Sequence, residues 1–187
     1  LFKCFYKKKD CIKNCLLLLH NIQRKTLSIS MNLILKNAII VDSKSKYHFQ
    51  KKDILIESGI IKKIDNDIEV KDEKTISFRN LHISNGWFDS SVSFGEPGFE
   101  ERETIENGIK TSSKSGFTDI ILNPNTNPVI DSHSSVSHIY KVTHNSPTKV
   151  HVLASLTKQS LGDEMAELYD MHVAGAIAFG DYKKTLN

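Results

Sequence analysis

Two serines two residues apart, Ser91 and Ser93, sit in the string GWFDSSVSFGEPGFE, where a short apolar run gives way to a turn. Residues at that spacing on a strand face the same way, so both hydroxyls aim at one place. A serine hydroxyl is neutral near pH 7 and is not among the ordinary zinc ligands Cys, His, Asp and Glu. Neither serine lies in a Gly-x-Ser-x-Gly elbow, and no histidine stands close by in sequence, so the pattern does not read as a serine hydrolase. Other polar groups cluster in comparable places: Asp89 and Glu96 around the serines, Asn123 to Asp131 in the run NPNTNPVID, and Asp181 in FGDYK. Asp89 reads as a turn cap, and Glu96-Pro97-Gly98 as a tight loop whatever the chemistry.

The remaining chemistry-bearing residues give weaker signals. His133, His138 and His144 are spaced by five and six, which does not align them on one helical face, and they read as solvated surface residues. His82, His151 and His172 stand alone and read as structural. No Gly-x-Gly-x-x-Gly or Walker-type loop follows a strand, which argues against a dinucleotide or ATP site. All three cysteines, Cys4, Cys11 and Cys15, precede Met31 at spacings that match no zinc pattern. From Met31 onward there is no thiol for a disulfide or a nucleophile, which fits a reducing, cytoplasmic setting.

The elements that would position these groups are legible from periodicity. From Met31 the runs LILKNAIIVD, DILIESG, IIKKID, TISF and LHIS recur about every ten residues, with Ser58-Gly59 marking a hairpin. They predict a small antiparallel, sandwich-like β domain over 31–84. After Asn85 strands alternate with helices: GWFDSSVSF, ETIENGIKTSSKSG, FTDIILNPN, SHSSVSHIYKVTHN, KVHVLASLT, DEMAELYDMHVAG and AIAFGD. Such alternation marks βα units and a parallel sheet, so 85–187 reads as three βα units and a fourth strand over Ala176 to Asp181. Four strands could close as a small doubly wound domain or form about half of a (β/α)₈ barrel, which needs about 250 residues. In either case the reactive groups belong at the strand ends.

Charge separates the first thirty residues from the rest. They hold seven of the 25 Lys and Arg against a single acid, Asp10, which leaves the remaining 157 residues with 18 basic and 21 acidic side chains, a net of −3. That balance gives no general electrostatic reason to expect nucleic acid. The longest apolar run, Leu16 to Leu19, is far short of the roughly 20 residues a spanning helix needs, so no membrane partner is expected. The thirty residues read as upstream read-through before a natural start at Met31, in preference to a targeting leader, because the apolar stretch is short for a signal peptide.

Taken together, GWFDSSVSFGEPGFEERETIENG, SGFTDIILNPNTNPVID and GAIAFGD resemble the opening half of a dihydroorotase, a cyclic amidohydrolase of pyrimidine biosynthesis. The resemblance covers about residues 31–187 and rests on the Glu-Pro-Gly-Phe-Glu and Pro-Asn-Thr-Asn-Pro strings. It implies an α/β fold, an amidohydrolase-type (β/α)₈ TIM barrel of which about the first half is present, plus a small N-terminal β domain. In that family the first strand ends in Asp-x-His-x-His, followed by Arg-Glu-Pro-Gly. Here Ser91 and Ser93 stand at the two metal-binding histidines and Gly95 at the arginine that clamps the substrate carboxylate. Asn125 matches the substrate-contacting asparagine. Asp181 falls at an acidic or modified-lysine metal ligand, although the family run reads like Ser-Asp-Asp-Gly where this chain has GDYK.

What the resemblance implies for function follows from those departures. No catalytic residue is assigned, and no cofactor is expected from this chain, with zinc returning only if the site has been remodelled around Asp181 and later histidines. The first reading is a dihydroorotase-like protein, acting on dihydroorotate and N-carbamoyl-L-aspartate, whose metal-dependent turnover is impaired and which serves as a scaffold, partnered by aspartate transcarbamoylase or by itself. The alternatives are an active enzyme with a remodelled zinc site and a small-molecule substrate, and a non-enzymatic, hydantoinase-like assembly protein.

Overall fold

The computed structural model describes residues 2–5, 32–69 and 74–185. The chain forms two compact units, residues 1–86 and 87–187. Among the described residues the first holds six strands: β1 (Phe2–Phe5), β2 (Leu33–Val41), β3 (Lys51–Glu57), β4 (Ile60–Asp65), β5 (Lys74–Ser77) and β6 (His82–Asn85). The hairpin between β3 and β4 turns at Ser58 and Gly59, both at positive φ (50° and 79°), as the sequence pair anticipates. Alternating apolar positions build the core of this unit from Leu33, Leu35, Ile40, Ile54, Ile76, Leu81 and Ile83.

The sheet is mixed, where the sequence suggested an antiparallel one. β3 is antiparallel to β2 and to β4, but β5 and β6 both run parallel to β2, along Leu33–Lys36 and Ile39–Val41 respectively. The break between those stretches falls where Asn37 takes φ 56° and the pairing with β3 shifts register. The segment after β4 is held by a contact far away in sequence. Lys36 Nζ donates to Asp53 Oδ2 (2.7 Å), Asp67 Oδ1 (2.8 Å) and the Ile68 carbonyl (2.8 Å), and Ile68 N–H returns to Asp53 Oδ2 (3.1 Å). Periodicity identifies strands but not partners, so it could not see this anchor. Within the segment read as upstream read-through, β1 pairs antiparallel with β6. The rest of that segment, including Cys11 and Cys15, lies outside the described residues.

The second unit is α/β. Its elements are β7 (Trp87–Val92), α1 (Ile105–Ser115), β8 (Phe117–Leu122), α2 (His133–Thr143), β9 (Lys149–Ala154), α3 (Leu168–Val173) and β10 (Ala178–Phe179). The four strands lie parallel in the order β10-β9-β8-β7, each beside its neighbour in sequence. One side of the sheet packs on the helices through Ile120, Leu122, Val150, Val152 and Ala154, which join Ile109, Val136, Ile139 and Met171 in the core. Residues of opposite phase, Asp119, Ile121 and Asn123 on one strand and His151, Leu153 and Ser155 on the next, share the other face.

Local chemistry sets the helix ends. Thr104 caps α1, accepting from Asn107 N–H, and Gly116 closes it in the left-handed region at φ 86°. Ser132 and Ser135 form a capping box at the start of α2. Helix α3 is shorter than DEMAELYDMHVAG suggests. Backbone groups of its expected first turn pair elsewhere, Lys158 N–H with the Glu164 carbonyl (2.8 Å) and Ala166 N–H with the Leu156 carbonyl (3.0 Å), so the helix starts only at Leu168. The last strand is likewise two residues long where six were expected.

Candidate active-site mouth

The strand-end residues singled out by the sequence converge only in part. Ser91 and Ser93, just past the middle and the end of β7, are both exposed and both accept from one group, the Asn123 Nδ2 amide, each at 3.1 Å. Asn123 follows β8 directly and is 3% exposed. Its two amide hydrogens are spent on the two serines, which uses a lone pair on each hydroxyl and ties β7 to β8. Tyr182, just beyond β10, joins from the other side. Interaction with Ser93, and then with Lys183, holds its phenol below the usual phenol range. Sequence reasoning placed Asn123 in the strand-end run 123–131 without giving it a role, and passed over Tyr182. Asn123 was detectable, because it continues the inward phase of Asp119 and Ile121 past the strand end.

Asp181 is engaged on both carboxylate oxygens. Oδ1 accepts from Ser155 Oγ (2.7 Å), Leu156 N–H (3.0 Å) and Thr157 N–H (3.0 Å), and Oδ2 accepts from Thr157 Oγ1. Burial alone would raise its pKa, but these donors outweigh burial and hold the carboxyl below the usual carboxylate range. Ser155, fully buried, also contacts Ser160 Oγ (2.7 Å) and has the Thr157 carbonyl (2.6 Å) as a second acceptor competing with Asp181 for its single hydroxyl proton. The turn after β9 is strained: Gln159 and Ser160 both take positive φ (53° and 54°). A second carboxylate pins it, Asp131 Oδ2 accepting from Gln159 N–H at 2.8 Å.

The other expected residues have identifiable local duties. Asp89 lies within β7, where its Oδ1 accepts from Ser91 N–H (3.0 Å), so it caps no turn, contrary to the expectation from sequence. Glu96 Oε2 accepts from Ile105 N–H (2.8 Å) at the start of α1, where a carboxylate complements the helix dipole. Asn125 lies in the loop after β8, and its Oδ1 is buried without a hydrogen-bond partner among the described residues. Gly95 permits no side chain at all, since a Cβ there would lie 1.8 Å from the Phe99 carbonyl oxygen. The position that the resemblance gives to a substrate-clamping arginine is therefore closed by the loop's own backbone. His133, His138 and His144 are exposed. His151 differs from the solitary reading: its Nε2 lies 3.1 Å from Asp119 Oδ1, across β8 and β9.

The donor set does not suit zinc. Among the described residues no group of three or more His, Cys, Asp or Glu is placed to hold a metal. The two serines are neutral and already accept from an amide, and both oxygens of Asp181 are engaged by hydroxyl and amide donors from Ser155 to Thr157. Zinc would have to displace these bonds and would gain only poor ligands for it.

Four consecutive parallel strands with helices on one face and a polar cluster at their C-terminal ends define an amidohydrolase-type α/β barrel half beside a separate N-terminal sheet. Solved structures of that class match its shape. An L-hydantoinase (dihydropyrimidinase) from Arthrobacter aurescens superposes with a TM-score of 0.62 at 22% identity, over 80% of this chain and 32% of that one. A dihydroorotase structure does so with a TM-score of 0.56 at 13% identity, over 79% of this chain and 41% of that one. The family model for dihydro-orotase-like proteins matches residues 82–186, and the chain belongs to that family. The dihydroorotase of Caldanaerobacter subterraneus subsp. tengcongensis is 36% identical over 152 residues, 81% of this chain and 35% of the relative. The chain thus spans about a third of the length of the curated relatives it matches.

Proposed function

We propose that this chain acts in de novo pyrimidine biosynthesis as a dihydroorotase-family protein whose metal-dependent turnover is impaired or lost, and that it serves as a cytoplasmic scaffold for aspartate transcarbamoylase or for a second copy of itself. The observation that carries the reading is the Asn123 amide bridging Ser91 and Ser93. In a zinc hydrolase the ion brings the pKa of bound water from 15.7 to about 7 and so supplies hydroxide at neutral pH. Nothing in the cluster replaces that supply. The hydroxyls of Ser91, Ser93 and Tyr182 are neutral hydrogen-bonding groups, and Asp181 is committed to holding the turn after β9. Asn125 Oδ1 has no hydrogen-bond partner among the described residues but is buried, so a ligand's N–H would reach it only if the loop after β8 opened.

The test is zinc content and dihydroorotate hydrolysis measured on the same purified protein. The expected result is zinc well below one per chain and no hydrolysis above background near neutral pH. One tightly held zinc per chain together with rapid turnover overturns the proposal and favours a remodelled metal site.

A further inference from the structure

The connection between β2 and β3 has no part in the mouth, yet its conformation is unusual. With the first two residues of β3 it reads SKSKYHFQKK over 43–52, holding Lys44, Lys46, Lys51 and Lys52 between the flanking Asp42 and Asp53. Phe49 takes φ 57°, a left-handed conformation rare and strained for a bulky residue. It is fixed there by its N–H to the Ile40 carbonyl (2.7 Å) and by Ile40 N–H to the Gln50 carbonyl (3.1 Å). The strain buries nothing, for Phe49 remains 68% exposed, with one face of its ring tilted against His48 at 4.0 Å. Tyr47 turns inward onto the core, and Lys46 and Lys52 flank its ring at 5.0 and 5.6 Å.

The charge of the loop is only partly balanced by its neighbours. Among the described residues none of the four lysines forms an ion pair. The nearby acids have other duties: Asp42 accepts from Lys44 N–H (3.0 Å), Asp53 is bound to Lys36, and Asp65 pairs with Lys63 (3.1 Å). Lys52 donates to Asn66 (2.6 Å) and adds a weaker attraction to Asp65.

We infer that the 43–52 loop is a docking tip for an anionic lipid surface, with Phe49 as the apolar wedge and Lys44, Lys46, Lys51 and Lys52 as the electrostatic contacts. Lysines are compact point charges suited to a diffuse layer of anionic headgroups, whereas recognition of bases and phosphates favours the planar fork of arginine, which this loop lacks. A single rigid aromatic at the tip suits shallow insertion better than the succession of stacking platforms that a nucleic acid strand uses. The inference is independent of whether the mouth catalyses anything. Peripheral contact of this kind needs no spanning segment.

The test is co-sedimentation of the full chain with phosphatidylcholine vesicles and with vesicles containing about a third phosphatidylserine. Each lysine near an anionic surface contributes roughly fivefold to partitioning, so the quadruple variant K44E/K46E/K51E/K52E is expected to lose at least about a hundredfold of the phosphatidylserine-dependent binding. Phe49→Ala is expected to lose severalfold, including at high salt, where the lysine contribution is screened. The basic first thirty residues are common to every variant, so differences between variants belong to the loop. Equal binding by the parent and both variants overturns the inference. So does tight binding of a thymidine oligonucleotide by a parent that ignores the vesicles.

Discussion

Replacing Asp181 with alanine removes the acceptor for Leu156 N–H, Thr157 N–H and Thr157 Oγ1 and one of two acceptors open to Ser155 Oγ, which keeps the Thr157 carbonyl. Ser155 is fully buried and Thr157 is 3% exposed, so water cannot freely replace the carboxylate. A hydrogen bond to a charged group contributes about 1.5–3 kcal/mol, and a buried donor left unpaired costs about 1–3 kcal/mol. Some of the four will find water through the opening left by the side chain, and a net loss of about 3 kcal/mol is expected for the second unit. For a unit of this size that lowers Tm by roughly 10–20 °C. The assay is urea unfolding in the presence of a chelator, followed by tryptophan fluorescence, since the only tryptophan, Trp87, reports on this unit. The folded pKa of Asp181 is depressed, so its contribution is complete above the unfolded carboxylate value and is lost as pH falls through the folded one. The gap between parent and variant should therefore close on acidification. A loss below about 1 kcal/mol in metal-free protein, or a loss seen only with zinc present, refutes the role of Asp181 as a clamp on the turn after β9.

Two further expectations concern residues away from the serines. Gly95→Arg, which restores the residue type of the family pattern, should destabilise the second unit by at least about 3 kcal/mol, because the Cβ overlaps the Phe99 carbonyl at 1.8 Å; thermal unfolding with little or no loss would show that the loop can open. Asp53→Asn should weaken the first unit by about 2–4 kcal/mol, since the 2%-exposed carboxylate serves Lys36, Asn37 and Ile68. Burial would raise the Asp53 pKa, but Lys36 and the two backbone donors outweigh it and hold it below the ordinary value, so the stabilisation is present above the unfolded carboxylate pKa and disappears on acidification through the folded one. Chemical denaturation at neutral and at strongly acidic pH checks the sign, and a parent-to-variant difference that grows towards acid would contradict it.

The sequence by itself determined the order of elements after Trp87 and the position of the polar residues at strand ends. Period two and period 3.6 are local signals, and burial of one face enforces them: Ile120, Leu122, Val150 and Val152 can only be strand residues facing helices. It also singled out Ser91, Ser93 and Asp181 as polar residues near strand ends, while Asn125 was marked by the family resemblance. What only the tertiary structure decided is which partner each of those groups takes. The Asn123 amide spans 32 and 30 residues of sequence to reach the two serines, Asp181 reaches back 26 to Ser155, and Lys36 draws the segment after β4 towards β2 from 32 residues away. Hydrogen-bond partners of that kind are chosen by the packing of strands side by side, and no local period records them.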